Sequence, residues 1–336
     1  MTQSVTTKNK AVHHFNSEIT STLYTTLAAM SCYEISGEDA QSFLQSQFTN
    51  DVNDISATQG QLNSYCTPKG RMMAIFYLCQ WQNNYYLIIP KEIASAVMQR
   101  IQMYIMRAKV TITDRSDQLQ LNALFGQQAE QTITALKISA PTKDYQTSAF
   151  EYGLCMRIPG IVPRYIIISN EQFSADLTNL STDDLGLSTV EYWQWLDIMS
   201  GIPMVYTETQ EAFVPQMANL ELINGVSFSK GCYPGQEVVA RLHYLGNANR
   251  RMYRISTAAS VDLKCGDDIY AADSEKNQAI GQVVSAIATN EEETTALAVL
   301  RVEAAENNQL AISSLTGPKA EVMSLPYEIP QIDKNK

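Results

Sequence analysis

The residues best placed for chemistry are in Lys230-Gly231-Cys232-Tyr233-Pro234-Gly235-Gln236-Glu237, where two glycines bracket a Cys-Tyr-Pro turn. Val238, Val239, Leu242 and Leu245 then recur with helical spacing until Gly246 stops the run. A thiol just ahead of a helix N-terminus lies near backbone N–H groups and the positive end of the helix dipole, both of which favour a thiolate. The Lys230 ammonium is expected to act in the same direction. Glu237 opposes it if its carboxylate faces the sulfur, and otherwise serves the first turn of the helix. Such a thiolate can be a redox-sensitive nucleophile or a transient sulfur or metal ligand. The plain alternative is a small buried cysteine in a tight turn.

Arg241, His243, Arg250, Arg251 and Arg254 form a second cluster, read either as a solvated, charge-paired face or as an anion site for carboxylates or phosphates. Lys69 and Arg71 join it if their turn folds back. Trp193 and Trp195 offer a flat aromatic wall for a planar ring, or ordinary core packing. Two residues apart on a helix, they should point to different faces, so only one is expected in the core. The other cysteines (Cys32, Cys66, Cys79, Cys155 and Cys265) are scattered, and no C-x-x-C pair or histidine-rich run marks a metal site or a disulfide framework. The net charge is −11, which makes direct binding of tRNA the least favoured reading.

The elements that must position these residues are legible in part. Ser36 to Phe48 reads as a helix capped by Ser36. Leu62 to Thr67 and Arg71 to Gln80 read as a hairpin across Pro68-Lys69-Gly70, followed by a strand from Tyr85 to Ile89. Ile93, Val97, Ile101 and Ile105 predict a helix from Glu92 to Arg107. Strands are expected at Lys109 to Thr113, Leu119 to Phe125, Phe150 to Ile158 and Arg164 to Ser169. A capping box, Ser188-Thr189-Val190-Glu191, opens a helix that ends near Gly201. From Arg251 onward six short β-rich runs suggest a small barrel. Residues 1–16 and 331–336 read as polar tails around 17–250, an α+β region, and 251–330, the barrel. No run reaches the ~20 apolar residues of a membrane helix, and no secretory signal is evident, so a cytoplasmic protein is expected.

K-G-C-Y-P-G-Q-E resembles the signature of the YgfZ family. The likeness extends to Phe213-Val214-Pro215-Gln216, Asn219-Leu220-Glu221, Gly246 through Arg251, Phe43 through Val52, and Cys66 through Arg71. It covers about residues 20 to 328 and reaches more widely to the folate-dependent aminomethyltransferases of glycine cleavage. The resemblance implies interleaved α+β subdomains in a ring around a hole for tetrahydrofolate, with a C-terminal β-barrel. It also implies folate binding, a role in iron–sulfur cluster assembly or repair with effects on tRNA modification, and no resident metal. Iron–sulfur proteins or their assembly machinery are the implied partners. Cys232 is the implied functional residue, within a motif completed by Gly231, Tyr233, Gly235 and Gln236. Trp193 falls where the family has one folate-contacting tryptophan and Met30 where it has another. Arg241, Arg250 and Arg251 would meet the glutamyl tail. The aminomethyltransferases grip the pterin with a Glu where this chain has Met199, and they use an Asp that is missing between Pro90 and Gln99. A tetrahydrofolate-dependent one-carbon transferase is therefore the alternative to a folate-binding accessory protein.

Overall fold

The computed structural model describes residues 15, 18–173, 177, 185–246, 248–258, 260–271 and 278–330. The expected tails lie outside these residues, Phe15 apart. Two sheets interleave along the chain. One takes β1 (Thr22–Thr26), then β7 (Gln120–Phe125), β8 (Thr147–Phe150), β9 (Gly153–Ile158), β10 (Arg164–Ser169) and β11 (Leu185–Leu187), in the order β11-β1-β7-β10-β9-β8. The other takes the intervening strands: β2 (Met30–Ser36), β3 (Gln61–Cys66), β4 (Met72–Trp81), β5 (Asn84–Pro90) and β6 (Thr111–Asp114), in the order β3-β4-β5-β2-β6. The β4 run Met72 to Cys79 is buried on both faces, which explains why it reads as continuous apolar sequence rather than an alternation.

The six late runs close into the expected barrel. They are β12 (Arg250–Ala258), β13 (Asp268–Ala271), β14 (Ala279–Ala288), β15 (Glu293–Arg301), β16 (Leu310–Ile312) and β17 (Lys319–Met323), ordered β12-β15-β14-β13-β16-β17. Closure pairs every strand on both sides and leaves no edge.

Three local expectations are corrected, two by tertiary contacts and one by the lack of a face to bury. Ser36 ends β2 instead of capping a helix, and α1 is only Ala40–Gln45. Gly37, at φ +119, brings its backbone so close to Lys109 that a Cβ would sit 2.0 Å from the carbonyl oxygen. The Asp39 carboxylate accepts the Lys109 N–H at 2.8 Å rather than capping α1. Helix α2 (Lys91–Gln102) stops short of Arg107, because the residues beyond it, Met103, Tyr104 and Met106, face solvent and bury no stripe. Helix α3 follows at Ala129–Ala135. Helix α4 (Val190–Met199) lacks the capping box: its N-cap is Thr189, and the Ser188 N–H is held by the Tyr24 carbonyl at 2.8 Å.

Helix α4 lies between β1 and the barrel strands β14 and β15. It therefore has little free face, and both Trp193 and Trp195 are buried, at 5% and 4% exposed. The guanidinium of fully buried Arg164 lies 4.7 Å over the Trp193 ring and 2.7 Å from the Asp197 carboxylate, and its Nε donates to the Pro159 carbonyl. Burial pushes the Asp197 carboxyl up, and Arg164 opposes that shift. Such a pair is costly to break, because the surviving charge stays buried. Arg164→Met should lower the unfolding free energy by about 3–5 kcal/mol in a urea titration.

Candidate functional site

Three contacts fix the motif loop. The first is made by Lys230, which is 7% exposed. Its Nζ donates to the carbonyls of Gln45, Phe48 and Asn50 at 2.8, 2.7 and 2.8 Å. These acceptors lie at and just beyond the C-terminus of α1, where carbonyls lack intrahelical donors and the helix dipole is negative. An ammonium has three N–H groups, so the match is complete. The buried Tyr233 ring lies 5.4 Å from the same ammonium. Lys230 is thus an anchor onto the end of α1, with its three N–H groups given to these carbonyls rather than to the thiol.

The second contact is a turn. Tyr233-Pro234-Gly235-Gln236 has proline at its second position and glycine at its third, with Gly235 at φ 83 and ψ 2, and the Gln236 N–H donates to the Tyr233 carbonyl at 3.1 Å. This is a type II turn, whose third position favours glycine. A Cβ on Gly235 would also lie 2.4 Å from the Thr67 carbonyl oxygen and 2.6 Å from Gly70 Cα. The β3–β4 hairpin turn is therefore seated directly on the motif. The third contact is the Gln236 carboxamide, which donates to the carbonyls of Lys230 and Gly231 at 3.4 and 3.3 Å.

Between these anchors Gly231 and Cys232 are exposed. Helix α5 (Gln236–Leu245) begins four residues after Cys232, beyond the type II turn, rather than at the thiol. Glu237 is exposed in its first turn, a favourable place for a carboxylate. Of the six cysteines only Cys232 is exposed; Cys32, Cys66, Cys79 and Cys155 are buried, and Cys265 is half-buried. Burial pushes the Cys66 and Cys79 thiols up to about 12 and the Cys265 thiol to about 11. Protonated thiols are poor nucleophiles.

The arginine cluster separates into different roles. Arg251 pairs with Glu221 and donates to the Gln216 carbonyl at 2.8 Å. Arg254 donates to the Ser324 carbonyl at 3.1 Å and points Nη1 at the Met199 sulfur, 2.7 Å away. Arg241 is exposed on α5, and His243 stacks on Phe228 with ring centroids 3.6 Å apart. Arg250 is half-buried at the start of β12.

A cavity of about 280 Å³ is walled by Tyr145, Ile161, Ser200, Ile202 and Tyr327, with Asp144 and Asn224 at its side. A second, of about 510 Å³, shares Asp144, Tyr145 and Asn224 and runs to Val226, Ser227, Phe228 and Ser229, the segment leading into Lys230. The two adjoin at these shared residues, and the larger is lined as far as Ser229, the residue before Lys230. The buried Ser200 Oγ, on the wall of the smaller, has no hydrogen-bond partner among the described residues. Trp193 and Met30 line neither cavity: Trp193 is covered by Arg164, and Met30 pairs with Pro90 at the end of β5. Tyr145, Asp144 and Ser200 were not singled out from the sequence, because no local pattern marks them. Among the described residues no group of three His, Cys, Asp or Glu side chains is arranged to hold a metal ion.

Lys230 gives the direct test of the anchor. Burial pulls its ammonium from the ordinary 10.5 down to about 8, and the Asp51 carboxylate opposes this. Between those values the unfolded chain binds the extra proton, so this group's contribution to stability rises with pH across the window. Lys230→Met should cost about 2–3 kcal/mol at neutral pH, since three carbonyls lose their donor. The gap between wild type and Lys230→Met should widen from pH about 8 to about 10.5 in urea titrations.

A family model for the GCVT N-terminal domain matches residues 20–176. The fold is that of the glycine cleavage system aminomethyltransferase T from Bartonella henselae, with a TM-score of 0.73 at 12% identity over 92% of this chain and 87% of that one. The tRNA-modifying protein YgfZ of Pectobacterium carotovorum is 28% identical over 87% of this chain and 88% of its own length. The tRNA-modifying protein YgfZ of Colwellia psychrerythraea is 33% identical over 72% of this chain and 74% of its own length. With the motif loop and this fold in place, the chain belongs to the family of the tRNA-modifying protein YgfZ.

Proposed function

We propose that this protein is a folate-binding accessory protein that supports iron–sulfur cluster assembly or repair, and thereby tRNA modification, through the Cys232 thiol. The observation that carries this reading is the single exposed cysteine of six, at the apex of a loop anchored by Lys230, Gly235 and Gln236. An exposed thiol on a fixed base meets a partner or a ligand, whereas a buried one packs. One thiolate cannot hold a stable cluster alone, since such clusters usually take four cysteines. Any cluster contact is then shared with a partner and brief.

The two adjoining cavities beside the loop support the folate reading. The larger cavity, about 510 Å³, falls within the roughly 300–1,000 Å³ range of small-molecule sites, and the smaller, about 280 Å³, lies just below it. Tyr145, Ile161 and Ile202 offer apolar and aromatic wall, the orphaned Ser200 hydroxyl offers a hydrogen bond, and Asp144 can accept from an amino-pyrimidinone edge. A bound tetrahydrofolate would supply a one-carbon carrier next to the loop. The chain's own residues would orient it and leave Cys232 free at the surface.

Tetrahydrofolate titrated calorimetrically into the wild type should bind, and Asp144→Ala should weaken it by about tenfold, or 1.4 kcal/mol. Trp193→Phe should leave the affinity unchanged. Absence of binding by the wild type removes folate from the reading. Separately, Cys232→Ser should fail to restore thiolated tRNA nucleosides in cells lacking the protein, while folding normally by circular dichroism. Full restoration by Cys232→Ser contradicts the role of the thiol.

A further inference from the structure

Arg250 and Arg301 stand directly opposite each other on the neighbouring strands β12 and β15. Residues so paired project to one face of the sheet, and like charges there repel. Arg71 reaches the same region from the N-terminal sheet. It follows the hairpin turn seated on Gly235, and its guanidinium is tied to the Ala212 carbonyl. The chain beyond Ala212 enters the 3-10 turn Pro215–Ala218, which packs on both β12 and α5. Burial, then the nearby charges of Arg301 and Arg71, pull Arg250 below its ordinary value. Among the described residues no carboxylate lies within 4.0 Å of any of the three. Arg251, by contrast, has Glu221. The chain carries 35 acidic residues against 24 basic ones, so carboxylates were available to neutralise this spot. Arg301 is exposed and Arg71 keeps its bond to the Ala212 carbonyl, but among the described residues the three like charges have no carboxylate between them, and an anion would relieve their mutual repulsion at half-buried Arg250.

We propose that Arg71, Arg250 and Arg301 form an anion site for the phosphate group of a small molecule, whether free phosphate or a phosphate ester. A carboxylate has one charge and two oxygens, which a single guanidinium satisfies in bidentate fashion. A phosphate carries about −1.5 to −2 and three acceptor oxygens, which suits two guanidiniums from one sheet face and a third from beside the hairpin turn. The net charge of −11 repels a long polyanion and so favours a compact ligand over a stretch of RNA backbone. The site adjoins the motif loop, because Gly70, the residue before Arg71, packs on Gly235 and Val238.

The test uses the full chain as wild type, Arg301→Gln and Arg250→Gln, with pyrophosphate and adenosine monophosphate as probes at fixed ionic strength. Both probes should raise the wild-type melting temperature, as ligands of the native state do. Arg301→Gln should bind pyrophosphate at least about tenfold more weakly by calorimetry. Its own melting temperature without ligand should equal or exceed that of the wild type, because the cross-strand repulsion is relieved. That combination separates a lost site from a damaged fold, and Arg250→Gln should repeat the loss. Tighter binding of pyrophosphate identifies a free-phosphate site and tighter binding of the nucleotide a phosphate-ester site. The proposal is overturned if chloride at equal ionic strength stabilises the wild type as well as pyrophosphate does. Equal pyrophosphate binding by wild type and Arg301→Gln also overturns it, as does tighter binding of a short single-stranded RNA or of oligoglutamate than of either probe.

Discussion

The site depends on one buried ammonium. Lys230 lies in a segment between the two large structural regions, and its three N–H groups meet three carbonyls at the end of α1, some 180 residues earlier in sequence. A helix C-terminus is poor in donors, so it must find a cation, water or a capping turn. Here it is closed by the residue that opens the motif. The geometry is demanding: a shorter side chain would not reach, and a guanidinium is planar where these acceptors call for a compact trigonal donor. Everything downstream inherits that placement. Tyr233 packs against the ammonium, the type II turn sets Gly235 on the hairpin, and Gln236 closes the loop over its own carbonyls. What is left outside is Gly231 and Cys232.

Anchoring by backbone acceptors has a chemical consequence. Because the Lys230 charge is matched inside the protein, the loop's rigidity does not depend on Cys232, which takes part in none of these contacts. The thiol can therefore react or exchange partners without loosening its base. This differs from the four buried cysteines, which fill core space and whose oxidation would disrupt packing. The same logic assigns Trp193 to the frame. It carries the buried Arg164–Asp197 pair, which joins α4 to β10.

Much of this was legible in the sequence, because local signals were strong where the chain decides locally. The six barrel runs and the hairpin across Pro68-Lys69-Gly70 depend on periodicity and turn chemistry and stand close to where they were read; helix α5 also forms, although of its expected stripe Val239 is buried and Val238 is exposed. The K-G-C-Y-P-G-Q-E run pointed to the right loop. What escaped was decided by contacts between distant segments. Ser36 and Ser188 carry good capping side chains, yet each is held in extended structure by neighbouring strands. Trp193 and Trp195 are both buried because α4 is covered from two sides, which helical periodicity cannot reveal. Lys230 looked like an activating charge because it is two residues from the thiol, but its partners lie at residues 45, 48 and 50. Arg301 joins Arg250 only through barrel register.

The central claim is that the loop holds Cys232 at the surface while Cys32, Cys66, Cys79 and Cys155 are shut away in the core. Time-resolved alkylation of the native protein with iodoacetamide, followed by peptide mass spectrometry at each cysteine, measures this directly. Cys232 should be modified at the rate of an unhindered thiol, with Cys32, Cys66, Cys79 and Cys155 unreactive until the protein unfolds. Protection of Cys232 on the same timescale as those four would contradict the claim, since the loop would then be covering the thiol instead of presenting it.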